Sequence, residues 1–545
     1  MKLPADDAPV KRANKNAAKP APSSRAKRSM RSAESARSTS VVILAAGLGK
    51  RMKSSRPKVL ASLCGRPMVA WVIDQALALR PDRILLVVGH GSDEVEKALV
   101  ASGQRERVTL VKQEPQLGTG HALQVASKAL GNDAGRVVVL YGDMPLLATD
   151  SLAKLVRAHE DRASNGMVLL TAWPDDPRGF GRIVRGADGE SVRKIVEERD
   201  ANAEERDIGE VNLGVYCFDA RALLDALPRL TNDNKQGEYY LTDVVGMFVD
   251  AHLAVAAVEL DDEDEAIGVN TLTHLAEARW ALQVRILEEH MANGVFIEDP
   301  ATTYVDHGVT IGVGTRILPC TVIRSGVVIG AGCEVGPFTQ LRAGTVLEDG
   351  AEVGNFTECK NSTIGAHAKA KHLAYIGDAS IGAKTNVGAG TIFANYDGVH
   401  KHKSVVGERV FVGSGTVIVA PNTIEDGAIT GAGAVVTRNS AVGRGETWVG
   451  VPARKLDRKR AQPDADKRAR ERDADGLVKR IEAFVARNTG LSVEDIEAAF
   501  AKELAVSSAA IRGLVKNLAS DRSAQRGRAP RAASKKPRTS RKSAS

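Results

Sequence analysis

Between about 305 and 437 the chain repeats itself. An aliphatic residue followed by glycine returns at Ile311-Gly312, Ile329-Gly330, Val335-Gly336, Val353-Gly354, Ile364-Gly365, Ile376-Gly377, Ile381-Gly382, Val387-Gly388, Val406-Gly407 and Val412-Gly413. Many separations are six residues or close to a multiple of six. A hexapeptide period predicts a left-handed parallel β-helix, in which each coil is three short strands and branched side chains stack inward. Glycine permits the tight corners. One coil cannot bury its own inner face, and this stretch offers roughly seven to eight of them to stack. The regular aliphatic phase excludes a disordered Gly-rich region.

A prism of this kind is inert unless a site is grafted onto it. The segment 372–401, HLAYIGDASIGAKTNVGAGTIFANYDGVHK, sets His372, Tyr375, Asn386, Asn395, Tyr396 and Lys401 among the aliphatic repeats. Those polar and aromatic side chains mark a candidate site.

The remaining chain divides by composition. Residues 1–40 carry ten Lys/Arg against three acids, and 522–545 carry nine Lys/Arg and no acid, so of the net +8 the two ends hold +7 and +9 and the interior is −8. Both ends are rich in Ala, Ser, Pro, Lys and Arg, lack the apolar content of a core, and read as disordered basic tails with weak polyanion binding at most. Apolar strands (VVILAAG, RILLVVGH, RVVVLYGD) alternate with helical patterns over 41–273, which predicts an α/β, Rossmann-like domain. Helical spacing over 272–294 predicts a connecting helix, with 274–294 as the linker. The β-helix domain is expected over 295–452, and a small helical appendage over 453–521.

No run of 18 apolar residues occurs, so membrane insertion is not expected. The N-terminus has no apolar core of a secretory signal. Its Arg/Ser/Ala content resembles a transit peptide, a reading weakened by the similar tail at the other end. Five scattered cysteines without a CxxC pattern fit free thiols in a reducing cytoplasm.

The strand Val41–Leu44 runs into AAGLGKRM (45–52), where Gly47 and Gly49 let a ligand approach the backbone. The loop has neither the Walker ending nor GxGxxG spacing. Arg51 and Lys58 follow, two cations suited to a polyphosphate, or simply a surface pair. A second Gly-containing turn, QLGTGHA (116–122), opens a helix. The apolar strand VVVLYGDMPLL (137–147) delivers Asp143 to its carboxyl end, where α/β sheets bind ligands. Asp143 is either a helix cap or an oxygen ligand for a divalent metal. Four phosphate-friendly elements in chain order favour the ligand.

This pattern resembles the nucleotide-diphospho-sugar pyrophosphorylases. Gly179-Phe180-Gly181-Arg182-Ile183, IVEERDA (195–201), EVNLGVY (210–216), QGEYYLTD (236–243) and GVN (268–270) narrow the resemblance. With the β-helix behind them, they are similar to the bifunctional N-acetylglucosamine-1-phosphate uridylyltransferases/glucosamine-1-phosphate acetyltransferases, over about 41–440. That resemblance implies uridine, from the co-substrate UTP, against Ala46, Gly47, Gln113, Gln116, Gly118 and Thr119. It implies N-acetylglucosamine 1-phosphate at Gly181, Glu197 and Asn212, Mg²⁺ at Asp143 and Asn270, and phosphate stabilisation by Arg51 and Lys58. In the acetyltransferase half it implies His372 as catalytic base. Glucosamine 1-phosphate would meet Arg342, Lys360, Tyr375 and Asn386, with Glu358 nearby. Acetyl-CoA would meet Ala389, Asn395, Tyr396, Lys401, Ser414 and Ala432. A homotrimer is implied as well, and a product that feeds peptidoglycan and other envelope polymers.

Two departures stand out. The family's first loop commonly reads GxGTRM, and Lys50 here replaces Thr. After 440 the chain reads GETWVGVPARKLDRKR, an ending like that of other hexapeptide acyltransferases, with Arg454 as a candidate CoA contact. Two other readings stay open at this point. One is a nucleotidyltransferase whose β-helix only oligomerises it. The other is a scaffold that binds polyanions through its tails.

Overall fold

The computed structural model describes residues 38–47, 49–54, 56–131, 135–161, 165–456, 479–484, 487, 495 and 498–500. Both basic tails, apart from Ser38 to Ser40, and most of the 453–521 appendage lie outside the described residues. The chain up to Lys455 forms one compact unit and the chain from Leu456 a second.

The first half is built on a mixed sheet. Its strands are β1 (Thr39–Ala45), β2 (Arg83–Val88), β3 (Thr109–Lys112), β4 (Arg136–Tyr141), β5 (Asn165–Ala172), β6 (Gly181–Arg185), β7 (Val192–Val196), β8 (Val211–Asp219) and β9 (Ala254–Glu259). The order is β9-β5-β8-β4-β1-β2-β3, with β6 pairing β8 and β7 pairing β6. β1 shows why its apolar run is uninterrupted. Val41, Ile43 and Ala45 pack into the core on one face, and Val42 and Leu44 into the core on the other. A strand covered on both faces has no solvent side to alternate with.

β1 is parallel to β2 and β4, whereas β8 is antiparallel to β4. The chain leaves β1 in one direction through β2 and β3, then returns to β4 on the other side of β1. That reversal opens a crevice beyond the carboxyl ends of β1 and β4.

The helix Leu272–Ala292 joins this sheet to the prism. Its buried Ala278, Ala281 and Leu282 pack with Leu63, Met68 and Leu146. Gln283 Nε2 donates to the Val305 carbonyl in the first coil at 3.0 Å. Gly65, at φ +86°, lies against Ser325 and Asp306 so closely that no Cβ would fit.

The prism has three faces. Two hold eight strands each, Tyr304–Val305 through Val435–Val436 and Thr310–Ile311 through Ala441–Val442. The third runs from Phe296–Ile297 to Thr447–Val449 and is closed by the antiparallel strand Arg454–Lys455. Every third strand pairs in parallel register, as in Ile317↔Val335 and Val335↔Val353. The aliphatic residue of each hexapeptide is the buried one: Ile317, Ile323, Ile329, Val335, Leu341 and Leu347 are all at most 1% exposed. Buried threonines fill the corners, with Thr315 and Thr339 hydroxyls donating to the carbonyls of Gly330 and Gly354 in the next coil. The sequence reading named no role for those threonines.

Beyond an eight-residue first step from Ile297 to Val305, the repeat is broken along one edge only. From the Tyr304–Val305 face to the Thr310–Ile311 face the step is six residues, as in Ile418 to Ile424. It shrinks to five at Cys359 to Ile364 and again at Ile376 to Ile381. It then grows to 13 between Phe393 and Val406. Two deletions and a seven-residue insertion thus fall on consecutive coils along this edge.

Candidate active sites

The crevice at the ends of β1 and β4 is a cavity of about 530 Å³. Ala46, Gly47, Arg51, Lys58, Gln113, Gln116, Gly118, Thr119, Asp143 and Asn270 all line it, joined by Tyr141 and Glu238. Gly118 has φ +104° and a Cβ there would stand 2.7 Å from the Tyr239 carbonyl, so only glycine permits this entry into the helix Thr119–Leu130. Gln113 Nε2 donates to the Gly118 carbonyl at 2.9 Å and Gln116 Nε2 to the Ala46 carbonyl. The two Gly-rich turns are thereby tied to one another.

At the other end of the cavity the polar groups converge. Lys58 Nζ forms an ion pair with Asp143 and donates to Asn270 Oδ1 at 2.9 Å. Arg51 donates to the same Asn270 oxygen at 3.0 Å. The Val269 amide donates to the Asp143 carbonyl at 2.8 Å, which carries the GVN segment to the end of β4. One carboxylate and one amide oxygen face the Lys58 ammonium. This all-oxygen set fits a hard divalent cation that takes its other ligands from substrate phosphates and water. Among the described residues no group of three or more His, Cys, Asp or Glu side chains is placed to hold a metal alone.

Gly181, Glu197 and Asn212 gather beside this cavity rather than in its lining. Gly181 pairs with Asn212 across β6 and β8, and Arg182 pairs with Val196, the residue before Glu197. Asn212 Nδ2 donates to the Tyr216 hydroxyl at 2.8 Å. Glu197 accepts from the Thr242 hydroxyl at 3.0 Å. Burial raises the Glu197 pKa, and Asp243, Asp200 and Glu238 push it further in the same direction. Tyr141 links the two groups of residues. It hydrogen-bonds Thr119 and feels the charges of Glu197 and Asp143, and burial drives its hydroxyl well above the usual phenol range. Gly214, at φ +77°, makes room for its ring: a Cβ would lie 2.5 Å from Tyr141 Cε2.

The second cluster lies on the prism around the irregular edge. Glu358 and Tyr375 are register partners on neighbouring coils, as are Asn355 and His372, and Lys369 and Asn386. Arg342 Nη1 is 2.6 Å from Glu358 Oε1. Lys360 meets another cation: Lys401 beside it, with Arg342 behind, pulls its ammonium below the usual range. Of these three cations only Arg342 has a carboxylate ion-pair partner among the described residues, and only the charge of Asp378 offsets the crowding at Lys360, so the patch favours an anion. Asn395 is buried, donating through Nδ2 to Asp378, whose other oxygen accepts from Asn361. The Tyr375 hydroxyl lies over Gly377, next to Asn395 Nδ2. Ala389, Ser414 and Ala432 form a column on successive coils: the Gly415 amide donates to the Ala389 carbonyl and the Gly433 amide to the Ser414 carbonyl, both at 2.7 Å. The Gly390 amide, next in the chain to Ala389, donates to the His372 carbonyl at 3.3 Å. His372 itself is exposed, as are Leu373 and Tyr396. Arg454 sits on the strand that closes the third face, paired with Val449.

Residues 41–244 match the MobA-like NTP transferase domain. Over 429 residues the chain is 40% identical to the bifunctional protein GlmU of Acetivibrio thermocellus, covering 73% of this chain and 92% of that one. The bifunctional protein GlmU of Geobacter sulfurreducens is 42% identical over 451 residues, with 73% and 93% covered. That of Geobacillus thermodenitrificans is 42% identical over 441 residues, with 74% and 95% covered. This chain belongs to the GlmU family. The reading as a polyanion-binding scaffold falls with that membership.

Within this GlmU-family chain several residues of the two clusters went unnamed in the sequence reading. Tyr141 and Glu238 lie inside quoted motifs, but nothing in a motif says which side chain turns toward the crevice. Asp397 and Arg438 are 41 positions apart and meet only because two coils stack. The signal that marked their neighbourhood was available: the register slip of the repeat between Phe393 and Val406.

Proposed function

We infer that the chain makes UDP-N-acetylglucosamine, a precursor of cell-wall polymers, in two steps. The prism transfers an acetyl group from acetyl-CoA to the amine of glucosamine 1-phosphate. The α/β domain then transfers a uridylyl group from UTP to N-acetylglucosamine 1-phosphate, releasing pyrophosphate. Family membership together with the cationic and oxygen groups gathered at the crevice carries this reading.

In uridylyl transfer the sugar phosphate is already an anion near neutral pH, so it needs no base. Its oxygen bonds to the α-phosphorus of UTP as the bond to the pyrophosphate oxygen breaks. The protein has to align two repelling anions and stabilise the charge that moves to the leaving group. The Gly-rich turns with Gln113, Gln116 and Thr119 hold the uridine, and Arg51 and Lys58 face the phosphates. Gly181, Glu197 and Asn212 hold the sugar. Asp143 and Asn270 would hold Mg²⁺, which supplies charge neutralisation on the triphosphate when bound.

Acetyl transfer needs the opposite. The amine has to lose a proton as it attacks the thioester, so a neutral imidazole is suited to accept it. His372 takes that proton, the new C–N bond forms, the C–S bond breaks, and the CoA thiolate leaves and takes up the proton that His372 accepted. Arg342 and Lys360 grip the sugar phosphate while Tyr375 and Asn386 orient the amino sugar. Ala389, Asn395, Tyr396, Ser414 and Ala432 face the CoA. The exposure of His372, Leu373 and Tyr396, and the stacked pair Phe338 and Phe356 standing out from the same corner column, support a homotrimer whose neighbouring copies cover this site.

Wild-type protein given glucosamine 1-phosphate, acetyl-CoA, UTP and Mg²⁺ is expected to form UDP-N-acetylglucosamine with release of free CoA thiol. Uridylylation of supplied N-acetylglucosamine 1-phosphate without any thiol release would leave the prism a purely structural oligomerisation module.

A further inference from the structure

The insertion between Phe393 and Val406 has an internal clamp that no substrate contact explains. Asp397 stands at its centre. Asp397 Oδ1 accepts from the Val399 amide at 2.9 Å and the His400 amide at 2.7 Å. Its Oδ2 meets His402 Nε2 at 2.6 Å and Arg438 Nη2 at 3.0 Å. These donors hold the carboxyl well below the usual carboxylate range, so it stays ionised. Arg438 comes from a later coil and also donates through Nε to the Ala420 carbonyl at 3.2 Å, which anchors the clamp to the prism wall. The loop is also held by the Tyr396↔Lys401 bridge, by the Asp397 amide donating to the His400 carbonyl at 3.1 Å, by the His402 amide donating to the Asn395 carbonyl at 2.8 Å, and by the Tyr396 hydroxyl donating to the Gly398 carbonyl.

This clamp holds Lys401 in an unfavourable place. Lys360 and Lys401 are neighbours, Arg342 adds a third positive charge, and among the described residues neither lysine has a carboxylate ion pair. Left free, the loop would swing Lys401 away from like charge into water. A rigid loop that keeps the repulsion in place preorganises a site for an incoming anion.

We propose that Asp397 and Arg438 are positioning residues for acetyl transfer: their ion pair locks the insertion so that Lys401, Lys360 and Arg342 form one cradle for the phosphate of glucosamine 1-phosphate. The proposal rests on the acetyltransferase reading of the prism. Neither residue touches the reacting atoms. Their removal therefore changes substrate affinity rather than the proton transfer at His372.

The test compares Arg438→Gln, Arg438→Lys and Asp397→Asn in both half-reactions, with calorimetric binding of glucosamine 1-phosphate to each full-length protein. Loss of a charge-assisted contact that orders the cradle is expected to raise KM and Kd for glucosamine 1-phosphate by about tenfold or more in Arg438→Gln. The turnover rate, its pH profile and uridylyl transfer should stay close to wild type, and Arg438→Lys should recover part of the affinity. Unchanged KM and Kd in Arg438→Gln would overturn the proposal. So would a loss confined to kcat, or one that falls equally on uridylyl transfer, because either would mean a general structural role. A wild type that binds glucosamine 1-phosphate through the clamp yet releases no CoA would instead sink the acetyl-transfer reading and leave the clamp standing.

Discussion

The two sites are built on opposite principles. The crevice in the α/β domain is walled by a single chain: Lys58 and Asp143 keep only 10% and 17% of their side-chain surface exposed and are bonded into a network with Asn270 and Arg51. The site on the prism is open, with His372 exposed and its cations facing outward. A doubly wound sheet makes a cavity wherever its strand order reverses, so one chain suffices. A β-helix has flat faces and a core filled by its own aliphatic stack, so a site on it has to come from irregular corners and from whatever covers them. The difference predicts that damage to the first site is local, whereas the second also responds to surfaces far from its chemistry.

The largest effects should separate the sites. His372→Ala is expected to lower acetyl transfer by about 10²–10⁴, and Asp143→Ala to lower uridylyl transfer by about 10²–10³. Each should leave the other reaction untouched when the two are assayed separately with their own substrates. An intermediate effect tests the openness of the prism site. Phe338 and Phe356 stack with ring centroids 5.3 Å apart and are 51% and 59% exposed. Replacing both by Glu should lower the mass seen in sedimentation and weaken acetyl transfer while uridylyl transfer persists. Equal loss of both reactions would erase the contrast.

Smaller effects sharpen the enclosed site. Gly214→Ala places a Cβ against Tyr141 at a left-handed φ, a strain of about 1–2 kcal/mol before the ring moves. It should lower Tm and raise KM for N-acetylglucosamine 1-phosphate more than for UTP. Glu197 gives a signed pH dependence. Its pKa is raised by burial and neighbouring acids, so the folded state holds the proton more tightly than the unfolded one. Stability from this group is then lost as pH rises from the ordinary carboxylate range through the folded pKa. Glu197→Gln should therefore raise Tm at pH 7 by a few degrees and by less near pH 4.5, while weakening sugar binding.

Much of this was legible in the residues, for unequal reasons. The prism was readable because each hexapeptide leaves one aliphatic residue to be buried, so phase in the sequence is phase in the core. The crevice was readable through Gly47, Gly118 and Asp143, whose residue types answer backbone and charge demands at the ends of strands. Glu197 and Asn212 came from resemblance, since a half-buried Glu with no ion-paired cation among the described residues looks like nothing in a one-dimensional string. Tyr141 was illegible because its importance lies in bridging two clusters. Asp397 and Arg438 were illegible because coil stacking, not local sequence, joins them. The one-residue deletions before Ile364 and Ile381 and the insertion before Val406 were present in the repeat all along, and they mark the edge where the polar residues collect.

The most direct test of two separate sites on one chain is complementation. His372→Ala and Asp143→Ala proteins would each be given glucosamine 1-phosphate, acetyl-CoA, UTP and Mg²⁺, first alone and then mixed. Neither alone is expected to form UDP-N-acetylglucosamine and the mixture is, because N-acetylglucosamine 1-phosphate made by the Asp143→Ala protein diffuses to the crevice of the His372→Ala protein. A mixture that stays inactive while the wild type works, or either variant forming product unaided, would contradict it.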